Sequence, residues 1–132
     1  MNESEIDYPK NGPIILIAEE HDMFRTSLRD MVTNYFPKSE VIEANNGWRA
    51  LFKALVYHPD VILMDLAMSE MDGLEATRHI KKVFPEIHVV IMTMTDDPLY
   101  GVSAISAGAN NTIVKNRIGV DLVPVLKNLL AA

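Results

Sequence analysis

The sequence has no cysteine, which excludes disulfide bonds, thiolate metal sites and a cysteine nucleophile. It has no apolar run near the ~20 residues that a membrane-spanning helix needs, so we expect no contact with a membrane. Basic residues are scarce, with 12 against 18 acidic residues and a formal net charge of −6 at pH 7. A segment of this charge is poorly suited to holding a phosphate backbone, and we expect it not to bind nucleic acid directly.

The rest of the composition is typical of one globular domain. The 132 residues are 48% hydrophobic and 23% charged, which suits a chain that buries a core. Residues 1–13 (MNESEIDYPKNGP) are polar and lack the apolar segment of a secretion signal. We therefore predict a flexible tail over 1–13, a folded domain over 14–132 and a cytoplasmic location.

Five short apolar runs have the length of buried strands. They lie at 14–18, 41–44, 61–64, 89–92 and 112–114. The first run, IILIA, is continuous, as in a strand with both faces covered. Met64, Met92 and Met94 lie in or beside these runs and are expected to fill gaps in the core.

The segments between the runs have the spacing of amphipathic helices. The stripes expected to face the core are Met23, Leu28, Met31, Val32 and Tyr35 in the first helix and Trp48, Leu51, Phe52 and Leu55 in the second. Prolines at positions 37, 59 and 85 end the first three helices. The fourth helix is predicted to run from Pro98 to a C-cap at Gly108. The fifth is predicted to begin near Asp121, because Pro124 would then lie in the first turn, where a missing N–H costs little.

Alternating strands and helices predict an α/β fold. Apolar parallel strands need helices on both faces, and right-handed crossovers then give a five-stranded doubly wound parallel sheet with five helices. In such sheets the functional site lies at the carboxyl ends of the strands. Residues that follow the strands are therefore the first candidates for function.

Five polar residues come directly after the predicted strands. They are Glu19 and Glu20 after the first, Asp65 after the third, Thr93 after the fourth and Lys115 after the fifth. Carboxylates within ~4 Å of each other repel, so the three acids need a cation; Mg²⁺ prefers such oxygen ligands and leaves room for a phosphate group. Asp65 is then the candidate nucleophile toward a phosphoryl group, with Lys115 as counter-charge and Thr93 as hydrogen-bond donor.

Other chemistries have less support. The sequence lacks the glycine-rich loops that cradle nucleotides, its four histidines lack metal-ligand spacing, and no serine lies in a nucleophile elbow. Any one of the five polar residues is as readily the start of a loop. Only their grouping indicates a site.

Four segments resemble the receiver domain of two-component response regulators, over residues 14–130. They are ILIAEEHDMFR, VILMDLAMSEMDGLEA, VVIMTMTDD and AGANNTIVKN. The H-x-x-F-R and M-D-G-L-E-A forms are most similar to receivers of the LuxR, NarL and FixJ type, which precede a helix-turn-helix DNA-binding domain. The resemblance implies a flavodoxin-like fold with strand order 2-1-3-4-5.

The resemblance also implies a cofactor and a modified residue. Asp65 would be the phospho-acceptor. Mg²⁺ would be held by Glu20, Asp65 and the backbone carbonyl of Ala67, with Glu19 binding through water. The protein would then be a signalling receiver that catalyses only its own phosphorylation and dephosphorylation.

An output surface and partners follow from the same resemblance. Thr93 and Lys115 would bind the new phosphoryl oxygens, and the added charge would repack the face formed by the fourth helix, the fifth strand and the fifth helix. Tyr100 and Thr112 lie on this face. The implied partners are a sensor histidine kinase and a second copy in a homodimer; DNA would be reached only through a C-terminal domain outside this sequence.

Several positions depart from the family pattern. The acidic pair after the first strand is Glu19-Glu20, whereas the pair in the family usually contains aspartate. The side chain of glutamate is one methylene longer, which is expected to weaken Mg²⁺ binding. Ser69 replaces a common proline, from which we expect a looser loop. Thr112 takes the place of a switch aromatic. Ala67 and Thr95 offer no amide or carboxylate to orient water, which predicts a slow loss of the phosphoryl group.

Two other functions stay open at this point. A degenerate receiver would keep the fold and act as a phosphorylation-independent interaction module. A small Mg²⁺-dependent phosphohydrolase would also use an aspartate nucleophile, but such enzymes place it in a D-x-D pattern after the first strand and carry a cap domain. This sequence has neither feature, so a receiver is favoured.

Overall fold

The structure, a computed structural model, describes residues 12–131. The predicted tail over 1–13 falls almost wholly outside the described residues. The Pro13 carbonyl accepts a hydrogen bond of 2.8 Å from the Glu40 amide. Gly12 lies so close to Lys38 that a Cβ atom would come within 2.2 Å of the Lys38 carbonyl oxygen. Residues 12 and 13 are therefore packed against the domain.

Strands and helices alternate as predicted. The strands are β1 (Ile14–Ala18), β2 (Glu40–Ala44), β3 (Val61–Asp65), β4 (His88–Thr93) and β5 (Asn111–Val114). The helices are α1 (Asp22–Tyr35), α2 (Gly47–Tyr57), α3 (Gly73–Val83), α4 (Pro98–Ala107) and α5 (Ile118–Leu130), and a 3₁₀ turn (Lys115–Arg117) links β5 to α5. Asp65 and Thr93 close their strands instead of following them.

The five strands form one parallel sheet in the order β2-β1-β3-β4-β5. This order confirms the predicted doubly wound α/β fold. Alternate residues of each strand point to opposite faces, so Leu16 and Ile62 pack with α2, α3 and α4, whereas Ile17 and Leu63 pack with α1 and α5. The crossover direction reverses between β1 and β3, and the carboxyl ends of these two strands mark the expected site.

The buried face of α2 differs from the prediction. Its buried residues are Gly47, Ala50 and Ala54, whereas Trp48 is 56% exposed and Phe52 is 65% exposed. The helix packs too closely for large side chains, since a Cβ atom on Gly47 would lie 1.8 Å from the carbonyl oxygen of Met71. The prediction is confirmed for Leu51, which packs against the core, and wrong for Trp48, Phe52 and Leu55, which are exposed.

Three other large residues expected in the core are on the surface. Met23, Tyr35 and Met94 are 86%, 57% and 77% exposed. The prediction of a core position is confirmed for Leu28 and Val32 of α1, for Met64 of β3 and for Met92 of β4. All four residues are buried. Met23 and Tyr35 lie near the two ends of α1 and Met94 lies in the loop after β4, away from the buried clusters on either face of the sheet.

The fifth helix begins earlier than predicted. It starts at Ile118, directly after the 3₁₀ turn, so Pro124 lies inside the helix and not in its first turn. Ile118 packs against the buried cluster shared by α1 and α5, which favours the earlier start. Pro124 is exposed, so the helix carries it on its solvent side. None of the helices between residues 12 and 131 combines the length and apolarity that a membrane crossing requires.

Candidate functional site

Three of the predicted site residues meet at the carboxyl edge of the sheet. Glu19 follows β1, Asp65 ends β3 and Lys115 follows β5. The Lys115 Nζ lies 3.0 Å from Glu19 Oε1 and 3.1 Å from Asp65 Oδ1. Both carboxylates are buried, with Glu19 at 0% and Asp65 at 3% exposure.

This cluster holds two carboxylates for one ammonium. Burial, and then the nearby charge of Glu19, raise the pKa of Asp65 from 3.8 to about 6, although Lys115 opposes the change. Burial lowers the pKa of Lys115, but its close pairing with Glu19 and the charge of Asp65 outweigh burial and leave that pKa raised. At neutral pH Lys115 is therefore charged and Asp65 is mostly ionised. A cation bound nearby would lower the raised pKa of Asp65.

Glu19 has a buried oxygen suited to a metal ion. Its Oε2 accepts a hydrogen bond of 2.9 Å from the His21 amide. Its Oε1 is buried and receives no aligned hydrogen bond, although Lys115 lies close by. A buried anionic oxygen in this state is a good ligand for a hard divalent cation. Glu19 and Asp65 therefore supply two carboxylates of the kind that Mg²⁺ binds, and the predicted site needs Glu20 as well.

Glu20 is exposed and bound to the loop after β3. Its Oε1 accepts a hydrogen bond of 3.1 Å from the Ser69 amide, and its Oε2 accepts one of 2.6 Å from the Ser69 hydroxyl. The hydroxyl bond first, and then the amide bond, lower the pKa of Glu20. Ser69 thus ties the loop down, contrary to the expectation that it loosens the loop. Within residues 12–131, no three acidic or histidine side chains are grouped as metal ligands, so Glu20 does not join Glu19 and Asp65 here.

Thr93 and Ala67 lie on either side of Asp65. Thr93 is 3% exposed, and in the parallel register Asp65 pairs with Met92, the residue before it. The Thr93 hydroxyl donates a hydrogen bond of 2.6 Å to the carbonyl of Thr95. Ala67 is exposed in the loop after β3. The structure thus places both residues near Asp65, with the threonine hydroxyl engaged elsewhere.

Two residues of α1 support the cluster and were not predicted as site residues. The Lys115 Nζ lies 4.9 Å from the centre of the Phe24 ring, a distance at which a cation is attracted to the ring face. Arg25 donates a hydrogen bond of 2.9 Å to the carbonyl of Glu19 and pairs with Glu43 at 2.9 Å. The H-x-x-F-R segment contains both residues, and their place in the first turn of α1, facing β1, was the available signal.

Gly73 lets α3 begin directly against Asp65. A Cβ atom at this position would lie 2.2 Å from the Asp65 carbonyl oxygen. The Gly73 amide donates to the Leu66 carbonyl at 2.8 Å, and Asp72 caps α3 by accepting a 2.8 Å hydrogen bond from the Glu75 amide. The M-D-G segment therefore fixes the backbone that carries the candidate nucleophile.

The predicted output residues lie on the outer surface. Tyr100 is 39% exposed on α4, and Thr112 is exposed on the edge strand β5. Leu99, Val102 and Ile105 of α4 are 71%, 64% and 70% exposed. This surface is apolar and lies outside the Asp65 cluster.

A cavity of about 720 Å³ lies at the opposite edge of the sheet. Its lining includes Phe36, His58 and Leu130, and none of the predicted site residues. Cavity volume alone would therefore place the functional site at this cavity and not at the charged cluster. We place the site at the cluster because two buried carboxylates and one ammonium meet there, at the carboxyl ends of the strands where such a sheet carries its site.

A family model described as the response regulator receiver domain matches residues 15–126. The chain belongs to this family. Receiver domains of this family are signalling modules, which agrees with the preference for a receiver over a phosphohydrolase. The match extends over every strand except the first residue of β1, and it includes Glu19, Asp65, Thr93 and Lys115.

Individual relatives agree with this membership. The response regulator protein VraR of Staphylococcus aureus is 34% identical over 115 residues, which cover 86% of this chain and 54% of VraR. A DNA-binding response regulator of the LuxR family from Staphylococcus aureus is 26% identical with a TM-score of 0.82, covering 89% of this receiver chain and 98% of that one. The chain therefore spans about half the length of the curated relatives it matches.

One neighbour is described with a metal. The receiver domain of sensor histidine kinase PA1611 from Pseudomonas aeruginosa has a magnesium ion coordinated in its active site cleft. It is 23% identical to this receiver, with a TM-score of 0.82, and covers 92% of this chain and 99% of that one. At this identity the likeness establishes the shared fold.

Proposed function

We propose that Asp65 accepts a phosphoryl group from a sensor histidine kinase in the presence of Mg²⁺ and thereby switches an output surface. The observation that carries the proposal is the buried pairing of Asp65 with Lys115 at 3.1 Å beside Glu19. Membership of the receiver family supports it. The neighbour with magnesium in its active site cleft supports the choice of metal.

Asp65 acts as the nucleophile in this proposal. With a pKa of about 6, its carboxylate is mostly ionised at neutral pH. One carboxylate oxygen forms a bond to phosphorus while the bond from phosphorus to the donor's histidine nitrogen breaks, and the electron pair leaves with the imidazole. The product is an aspartyl phosphate. No proton has to leave Asp65 during the step.

Positive charge at the site comes from Lys115 and a metal ion. Glu19, Glu20, Asp65 and the carbonyl of Ala67 would hold Mg²⁺, with Glu19 acting through water. When bound, the ion neutralises charge on the phosphoryl oxygens. Lys115 is already held 3.1 Å from Asp65 and can pair with a phosphoryl oxygen after a short movement.

The proposed switch depends on the segments that follow Thr93 and Lys115 in the chain. Phosphorylation adds about −1.5 to −2 charges, which attract the Lys115 ammonium and the Thr93 hydroxyl. Thr93 has to exchange its bond with the Thr95 carbonyl for one with the phosphoryl group. Thr93 precedes the loop to α4, and Lys115 begins the turn into α5. Movement of both residues therefore shifts the surface that carries Tyr100.

The first test is uptake of phosphate with and without metal. We expect the protein to gain the mass of one phosphoryl group when incubated with a small acyl phosphate and Mg²⁺. A chelator in place of Mg²⁺ should slow the gain at least about tenfold, because the transferred group then lacks its neutralising cation. Intact-mass spectrometry over time measures both rates. No gain at any Mg²⁺ concentration would contradict the proposal.

The lifetime of the phosphorylated form is a second test. Ala67 and Thr95 follow Asp65 and Thr93 by two residues, and their methyl and hydroxyl side chains provide no amide or carboxylate to orient water. We expect Thr95→Gln to shorten the half-life of the phosphoryl group about tenfold by supplying such a group. Mass spectra recorded after the donor is removed give the half-life, with Thr26→Gln on the exposed side of α1 as control. Loss from the parent protein within seconds at neutral pH would contradict a slow decay.

A degenerate receiver is the alternative. The observation in its favour is that Glu20 is bonded to Ser69 and not grouped with Glu19 and Asp65. This alternative predicts no phosphoryl uptake and a partner that binds equally well with or without Mg²⁺.

The role of the longer protein is part of the proposal. The 115 matched residues are only 54% of VraR, and the LuxR-family neighbour is described as DNA-binding, which supports transcription regulation through a domain outside this sequence. The net charge of −6 argues against DNA binding by the receiver itself. Homodimerisation and a cytoplasmic location stay predictions.

A further inference from the structure

We infer that Ser69 is a latch that competes with Mg²⁺ for the carboxylate of Glu20. The inference rests on the proposed function, because it concerns the metal that phosphoryl transfer uses. It assigns a role to a residue that lies outside the Asp65 cluster. Its predicted effect is on metal affinity and not on the chemistry of Asp65.

The contact uses both polar groups of Ser69 and both oxygens of Glu20. The amide binds Oε1 at 3.1 Å and the hydroxyl binds Oε2 at 2.6 Å. Hydrogen bonds to an ionised acceptor are stronger than those between neutral groups. The lowered pKa of Glu20 agrees with a carboxylate that these bonds keep ionised. The pair joins two loops that are 49 residues apart in sequence.

The bonded arrangement keeps Glu20 from the metal position. The described residues include no group of three acidic or histidine side chains placed as metal ligands, although Glu19 and Asp65 both contact Lys115. For Glu20 to complete such a group, its carboxylate has to turn from Ser69 toward Asp65. Metal binding therefore has to break contacts that the Ser69 side chain makes.

The latch can open without leaving a buried polar group unpaired. Glu20 and Ser69 are both exposed, so water can take the place of each partner. A proline at position 69 would supply neither the hydroxyl nor the amide hydrogen. The competition is thus a consequence of serine at this position in combination with a glutamate long enough to reach it.

The test is the dissociation constant for Mg²⁺, measured by calorimetric titration of the full chain. We expect Ser69→Ala to tighten Mg²⁺ binding about three- to tenfold, since one of the two competing bonds is removed. Ser27→Ala, which removes an exposed hydroxyl from α1, is the matched control and should leave the constant unchanged. In the Glu20→Ala background, Ser69→Ala should have no effect.

An NMR titration adds a readout that is independent of affinity. The amide proton of Ser69 should shift on addition of Mg²⁺ in the direction of a broken hydrogen bond, and this shift should be absent in Glu20→Ala. Equal or weaker Mg²⁺ binding by Ser69→Ala, with phosphoryl uptake intact, would overturn the latch, and weaker binding would show in addition that Ser69 orients Glu20 for the metal. Tightening that persists in the Glu20→Ala background would also overturn it. Failure of every variant, and of the parent, to take up a phosphoryl group would instead overturn the proposed function, and the Mg²⁺ titrations would still decide on the latch.

Discussion

Asp65→Asn is expected to abolish phosphoryl uptake. The amide that replaces the carboxylate is neutral and is not a nucleophile toward phosphorus, so the rate should fall at least about 1,000-fold, to the level of no detectable gain. The buried position of Asp65 at the end of β3 makes compensation by another acid difficult, because Glu19, the other buried carboxylate, is already paired with Lys115. Intact-mass spectrometry after incubation with an acyl phosphate and Mg²⁺ measures the effect.

Two controls make this result specific. Asp30→Asn removes an exposed carboxylate of α1 and should leave the uptake unchanged. Circular dichroism should give the same helix content for both variants and the parent. A phosphoryl group gained by Asp65→Asn, or mapped by peptide fragmentation to a different carboxylate in the parent, would contradict the role of Asp65.

The same substitution is expected to stabilise the fold at neutral pH. The pKa of Asp65 is raised from 3.8 to about 6, so between these values the folded state holds a proton that the unfolded state releases. The free energy of unfolding therefore falls as the pH rises through this window. The contribution of Asp65 to the free energy of unfolding is fully present below about pH 4 and is lost above about pH 6. Each pKa unit corresponds to about 1.4 kcal/mol, which gives a loss of about 3 kcal/mol.

The difference between Asp65→Asn and the parent isolates this effect. The variant should be about 2 to 3 kcal/mol more stable than the parent at pH 7.5, and the two should converge near pH 4. Urea unfolding followed by circular dichroism, in a chelator, measures both free energies. The lowered pKa values of Glu20 and Glu86 act in the opposite sense, but they are common to both proteins and cancel. A difference that stays constant with pH would show that burial of Asp65 does not carry the effect.

The strands could be predicted because their signal is local. Runs such as VILM at 61–64 are apolar throughout, and no alternative to a buried strand fits them. Polar residues placed at the ends of parallel strands necessarily share one edge of the sheet, so the meeting of Glu19, Asp65 and Lys115 followed from the fold class. The sheet topology therefore accounts for the proximity of these three residues.

The orientation of α2 could not be predicted in the same way. Its large apolar residues have helical spacing, but so do Gly47, Ala50 and Ala54, and only the position of the loop at Met71 decides which face fits. The start of α5 depended similarly on the turn that follows β5. The bonds from Ser69 to Glu20 join loops 49 residues apart, and no local pattern encodes such a contact.

The small buried face of α2 has a practical consequence for spectroscopy. Trp48 is the single tryptophan, and its side chain is 56% exposed in the folded protein. Much of the indole is therefore in contact with water before denaturation, so we expect unfolding to shift its emission less than that of a buried tryptophan, and a soluble quencher to reach it in the native state. Fluorescence from this chain thus reports on what covers the outer side of α2 and is a poor measure of whether the domain is folded.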